Sequence, residues 1–155
     1  ISTINKAVVY LGEETMRQFI SIVAVSQLAE GKPLEVITLG LTRAIFISEL
    51  PTLYNKRISE AGFLIGLLSV LDAVLDMSLE NVVEKLALQQ GVANTLLHYE
   101  GNWGCALQMV KAIENAEWAL IEQKLAEYHP DIDVSVDDLY IEANHKAETL
   151  LLSCL

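Results

Sequence analysis

The sequence predicts an all-α fold: an orthogonal multi-helix array of roughly eight or nine helices. Three observations predict it. Apolar residues recur at three- and four-residue spacing along nearly the whole chain. No run of alternating β-branched residues is long enough for a secure strand, and hairpin dipeptides such as Asn-Gly are absent. Only 3 prolines and 8 glycines interrupt 155 residues, which leaves room for long helices.

The elements follow in order. Thr3 can cap a short helix from Ile4 to Leu11, stopped by Gly12. Glu13-Glu14 suits the positive end of a second helix. Met16, Phe19, Ile20, Val23 and Ala24 line one of its faces, and Ile22, Val25 and Ala29 a second, before Gly31 ends it. Pro33 fits the first turn of a third helix, with Val36, Leu39, Ile47 and Leu50 apolar and Pro51 as its stop.

Asn55-Lys56-Arg57 leads to Ser59, a cap for the next helix. From Ala61 to Met77 that helix reads as one segment in which Ser69, Asp72 and Asp76 are the only polar residues. Apolar nearly all round, it is expected in the core. Gly62 and Gly66 cost about 1 kcal/mol each against Ala in a helix, so close approach of a neighbouring helix is the expected offset.

Ser78 caps a short helix through Val82, Val83 and Leu86, and another runs from about Gln89 to Leu97. Tyr99-Glu100-Gly101-Asn102 reads as a turn, followed by a helix carrying Ala106, Leu107, Val110 and Ile113. Glu117 opens the next, with Trp118, Ile121 and Leu125 expected inward, and His129-Pro130-Asp131 breaks it. Ser135 with Asp138 starts the last helix in capping-box style. Leu139, Ala143, Ala147, Leu150 and Leu151 share one of its faces.

Composition narrows the function classes. With 52% hydrophobic and 20% charged residues, 1–155 reads as one folded domain rather than a disordered segment. A net charge of −11 with scattered basic residues argues against nucleic acid and against an anionic membrane surface. Cys105 and Cys154 fit neither a disulfide framework nor a zinc pattern, so reduced thiols in a cytoplasmic protein are expected. The start lacks the basic and apolar regions of a signal peptide. The longest uncharged run of the Ala61–Met77 helix is too short to span a bilayer.

Candidate chemistry is sparse. A metal phosphohydrolase needs His and Asp ligands converging from several helices. His98, His129 and His145 all lie in the last third, and no His-Asp dipeptide occurs. Glu142 and His145 have the Glu-x-x-His spacing of di-iron bundles, but that centre needs the motif twice. They read as a solvated face, and Asp137-Asp138 as acids at a helix start. No nucleophile elbow or phosphate-cradling loop is present. Asp72, an acid in an apolar helix, needs a partner, and Arg43 on another apolar helix is the candidate for a structural polar pair. No catalytic, cofactor-binding or metal-binding residue is assigned.

These segments together resemble a family. In order they are Ile4 to Gly12, Ala29 to Pro33, Arg43-Ala44, Ala61 to Ser69, Leu71-Asp72-Ala73, Glu100-Gly101, Ala116-Glu117-Trp118 and Leu139 to Ala143. The chain is similar to the HDOD domain, the HD-related output domain of bacterial signalling proteins, in the form found downstream of an EAL domain. Where the HD superfamily has Gly-Leu-Leu-His-Asp, this chain has Gly66-Leu67-Leu68-Ser69-Val70. The resemblance therefore implies a fold related to HD phosphohydrolases with a degenerate ligand position, no cofactor and no activity of its own. It also implies further N-terminal helices and an EAL domain upstream, so that 1–155 is the C-terminal portion of a longer protein of cyclic di-GMP signalling.

The leading expectation is a non-catalytic output module acting by protein–protein contact or dimerisation. Its expected partners are the attached EAL domain, other signalling proteins or a second copy. Ile22, Val25, Leu150, Leu151 and Leu152 are the candidate contact residues. A residual HD-type metal-dependent phosphohydrolase and a small-ligand sensor are the alternatives.

Overall fold

A computed structural model describes residues 34–50, 56–128 and 135–154. The expected helices at Ile4 and Glu13, with Ile22 and Val25, lie outside the described residues, as do Pro33, Pro51 and His129-Pro130-Asp131. The described part is all-helical, without a strand among its residues. Its elements are α1 (Leu34–Glu49), α2 (Lys56–Leu68), α3 (Leu71–Leu75), α4 (Leu79–Lys85), α5 (Gln90–His98), α6 (Gly101–Glu114), α7 (Trp118–Tyr128) and α8 (Val136–Cys154).

The axis of the fold is α1. It is buried without interruption from Gly40 to Ile47, and Leu41, Ala44 and Phe46 have no exposed surface. Such a helix must be covered on every side. Its main neighbours are α2 and α8, with α6 and α3 closing the remaining flank, while α7 packs on α6. Leu64, Ile65 and Leu68 of α2, Leu107 and Val110 of α6, and Ala143, Ala147 and Leu151 of α8 meet it in a common core.

Both glycines of α2 mark close approaches. A Cβ built on Gly66 collides with the backbone of Ala44 and Arg43. One on Gly62 comes within 2.8 Å of Ile47 Cγ2 and 2.9 Å of Trp103 Cζ3. The helix-propensity cost expected from the sequence is thus offset by contact with α1, where a side chain has no room.

The segment Ala61–Met77 is not one helix, contrary to the sequence reading. It stops at Leu68, turns through Ser69 and Val70, and resumes as the short α3. Ser69 Oγ donates to the Gly66 carbonyl at 2.6 Å, a local bond that competes with the helical ladder. Val70 is 5% exposed and sits on Gly40, where an added Cβ would lie 2.6 Å from Val70 Cγ2. Ala73 N–H bonds the Asp72 carboxylate at 2.8 Å. Asp76 closes α3 in the left-handed conformation, φ 52°, with its N–H on the Asp72 carbonyl.

Ser59, expected to cap the helix that follows it, lies inside α2, which begins at Lys56, while two other boundaries follow the expected caps. Ser78 Oγ accepts from Asn81 N–H at 3.2 Å, and Ser135 Oγ from Asp138 N–H at 3.4 Å. Tyr99, at φ 55°, ends α5, and α6 begins at once with Gly101 at φ 75°, so the expected four-residue turn is shorter. Trp118 is 58% exposed rather than inward. At 100° per residue it falls about 20° beyond Leu125, at the edge of the arc carrying Leu120, Ile121, Lys124 and Leu125, which are the residues that α7 buries wholly or in part. Among the described residues no single helix is long and apolar enough to cross a membrane.

Gly66→Ala is expected to destabilise the chain by at least 1–3 kcal/mol, since the obstacle is backbone. Gly91, with nothing within 4 Å of an added Cβ, is the control: Gly91→Ala should stabilise by up to about 1 kcal/mol. Urea denaturation of both variants gives the comparison.

Candidate functional site

The turn at Ser69 is where the polar chemistry of the interior converges. Arg43, 9% exposed, reaches it from the middle of α1. Its Nε donates to Glu114 Oε2 at 2.9 Å and its Nη2 to Glu114 Oε1 at 2.8 Å, a bidentate pair with the last residue of α6. Its Nη1 donates to Ser69 Oγ at 3.1 Å and to the Ser69 carbonyl at 3.4 Å. One guanidinium therefore ties α1, α6 and the α2–α3 turn together.

Next to it, α8 adds a second polar link. Asn144 Nδ2 donates to Thr42 Oγ1 at 3.2 Å, and Thr42 Oγ1 donates to the Thr38 carbonyl at 2.8 Å. Tyr140 meets Phe46 edge-on, with ring centroids 6.3 Å apart. Burial pushes the Tyr140 phenol above its ordinary range; the charge of Glu114 adds to this and that of Arg43 opposes it. The phenol stays protonated through the neutral range.

The expected Asp72–Arg43 pair is not formed. The break at Ser69 turns Asp72 to the surface, where its carboxylate serves Ala73 N–H, and Arg43 takes Glu114, 71 positions away, instead. Sequence reasoning missed Glu114, though a signal existed. At spacings of four and three, Glu114 extends the stripe of Leu107 and Val110, both fully buried, so it was an acid on an inward face.

Ser69 and Val70, expected as a degenerate ligand position, are both buried and both committed: Ser69 to Arg43 and Gly66, Val70 to Gly40. This donor set does not fit the metal centre that an HD-type phosphohydrolase would need. A valine offers no lone pair, the hydroxyl is already used, and a fixed guanidinium repels a second cation. Among the described residues no group of three or more His, Cys, Asp or Glu side chains converges as a metal site.

The remaining candidates separate clearly. Glu142 and His145 are exposed on α8, and Glu142 pairs with Lys146 at 3.2 Å. Lys146 also bridges to Glu49 at 2.7 Å, clasping α8 to the end of α1. Asp137 and Asp138 are exposed in the first turn of α8. In the run Leu150-Leu151-Leu152, Leu150 is half-buried, Leu151 belongs to the core at 6%, and Leu152 is 74% exposed. The run is therefore not one surface, because successive residues of a helix point 100° apart. Cys105 is half-buried and donates to the Lys124 carbonyl at 3.3 Å. Burial, with the charge of Glu127, raises its thiol pKa against the opposing effect of Lys124, which makes it a poor nucleophile.

Over 134 residues, 86% of the chain, the sequence is 39% identical to cyclic di-GMP phosphodiesterase CdgJ of Vibrio cholerae. The chain is homologous to part of a cyclic di-GMP phosphodiesterase. The match covers 31% of CdgJ. A second relative, the uncharacterised protein YuxH of Bacillus subtilis, is 27% identical over 121 residues, 76% of the chain and 30% of YuxH. The chain thus spans less than a third of the length of these curated relatives. No family model matches the chain, and no solved structure matches it.

The node makes a sharp energetic distinction. With side chains only 11% and 14% exposed, Arg43→Met or Glu114→Leu alone leaves one charge stranded and should cost about 3–5 kcal/mol. The double variant should cost less than either single change. Asp72→Ala should stay within about 0.5 kcal/mol. A double-mutant cycle from urea midpoints tests all three expectations.

Proposed function

We propose that this chain is a non-catalytic helical module of cyclic di-GMP signalling, acting by contact with other protein surfaces rather than by chemistry of its own. The similarity to part of CdgJ supports the signalling context. The observation that carries the non-catalytic reading is the Arg43 guanidinium held on Ser69 and Glu114. A hydrolytic metal centre at this turn needs free carboxylate or imidazole donors. Here the turn offers a hydroxyl and a carbonyl to a fixed cation, and the neighbouring valine is packed on a glycine.

In this reading the module works in the cytoplasm beside a phosphodiesterase domain of the EAL type and alters that domain's activity through contact. The acidic surface suits a protein partner more than a polyanion, because a net charge of −11 repels nucleic acid and anionic lipid alike.

Two measurements test the reading. The purified chain, given Mn²⁺ or Mg²⁺ and cyclic di-GMP, is expected to release no linear dinucleotide. In a full-length protein that carries a phosphodiesterase domain, deletion of this module is expected to change the hydrolysis rate severalfold. Turnover by the isolated chain, or a rate indifferent to the deletion, would overturn the proposal.

A further inference from the structure

The outer face of α8 carries a pattern that the other described residues do not use. Ile141 and Leu152 are 67% and 74% exposed, the two most exposed large apolar side chains among the described residues. Both point away from the face that seats Ala143, Ala147 and Leu151 against the core. Between them on the same stripe stand His145 and Glu148, both exposed, with no side-chain hydrogen bond or ion pair among the described residues. The four positions are spaced four, three and four apart. That is the spacing of a coiled-coil seam, and here it lies on the outside. At 1.5 Å per residue the stripe is about 16 Å long, three helical turns.

The order of residues along this stripe is self-complementary. Let two copies of α8 pack antiparallel about a two-fold axis between positions 146 and 147. Ile141 then faces Leu152 of the second copy, and His145 faces Glu148 of the second copy. Each contact occurs twice, as an isologous interface requires. Apolar residues meet apolar residues at both ends, and a base meets an acid at both central layers. A parallel arrangement would instead set Glu148 against Glu148. The net charge of −11 would otherwise hold two copies apart, so a seam that places no two carboxylates opposite each other bears directly on self-association.

We infer that the Ile141–His145–Glu148–Leu152 stripe of α8 is a self-association surface that pairs two copies of this chain antiparallel. The inference rests on the reading of the chain as a contact module and names the second copy as a partner. Three helical turns bury well under the ~1,600 Å² of a standard interface, so the pairing belongs to the weak, reversible class.

Sedimentation velocity over a concentration series is the primary test. The mass should rise from 17.1 kDa toward twice that value. Ile141→Glu and Leu152→Glu should each raise the dissociation constant at least tenfold with the circular dichroism unchanged, because neither side chain touches the core. Orientation is read by mixing His145→Cys chains with Glu148→Cys chains under mild oxidation. A disulfide between positions 145 and 148 is expected, and bridges joining like positions would overturn the antiparallel register. A mass of 17.1 kDa at every concentration, or a dimer indifferent to both glutamates, would overturn the proposal. Either result would leave the contact-module reading standing, since that reading falls only with turnover by the chain or with a deletion that has no effect.

Discussion

The bidentate pair between Arg43 and Glu114 is the interaction around which the interior is arranged. A guanidinium in the middle of a buried helix is tolerable only if its donors are satisfied and its charge is met. Here Nε and Nη2 go to Glu114, and Nη1 goes to the Ser69 hydroxyl and carbonyl. Ion pairs of this kind add little net stability over a well-packed apolar trio. What this one supplies is geometry. It fixes the end of α6 and the α2–α3 turn against one residue of α1, with one arrangement of partners. Gly66 makes that arrangement reachable, because only a missing side chain lets α2 come close enough to Arg43 and Ala44.

The last helix is fastened to the same stretch of α1 by different means. Ala143 and Ala147, with no exposed surface, let α8 lie close along α1. Asn144 holds Thr42, the neighbour of Arg43, and Tyr140 stands edge-on to Phe46. Lys146 adds the exposed clasp to Glu49, whose hydrogen bonds raise the lysine pKa. The inner face of α8 is thus committed over three turns. Rotation of α8 about its own axis would break the Thr42–Asn144 bond and lift the alanines from α1. Its outer stripe is therefore presented at a fixed angle to the core, which is a requirement for an interface of small area.

Much of this was legible in the sequence, and the exceptions at Arg43 and Asp72 share a cause. Ser78 and Ser135 announce their helices because a cap is a local interaction, settled within three residues. The paired glycines of α2 announce a close crossing because their propensity cost needs an offset. Arg43 was recognisable as a buried charge, but its partner was not. Glu114 lies on a different helix, and sequence periodicity orders residues within an element without showing which elements meet. Asp72 looked equivalent because it sits in the same apolar segment, and it is exposed only because that segment breaks. Trp118 differs for another reason: a large aromatic suggests burial, yet as the first residue of α7, at the edge of its inward arc, it is 58% exposed.

The break itself is a contest of small terms. Nothing in Gly-Leu-Leu-Ser-Val-Leu forbids a helix, and propensity alone carries α2 through to Leu75. A straight helix would regain up to four ladder bonds, from the N–H groups of Val70, Leu71, Asp72 and Ala73 to the carbonyls four residues back, each worth about 1 kcal/mol net. It would also surrender tertiary contacts. Val70 would leave its seat on Gly40, and a buried valine is worth about 1.5–3 kcal/mol. Arg43 would lose its acceptors at Ser69, and hydrogen bonds to a charged group are worth about 1.5–3 kcal/mol. Meanwhile Asp72 already gives Ala73 N–H a partner, so the broken ladder leaves no orphan there. Tertiary contacts made by α1 thus offset the local preference for a continuous helix. The turn that places Ser69 under Arg43 exists because α1 carries both a glycine for Val70 and a cation for Ser69, three residues apart.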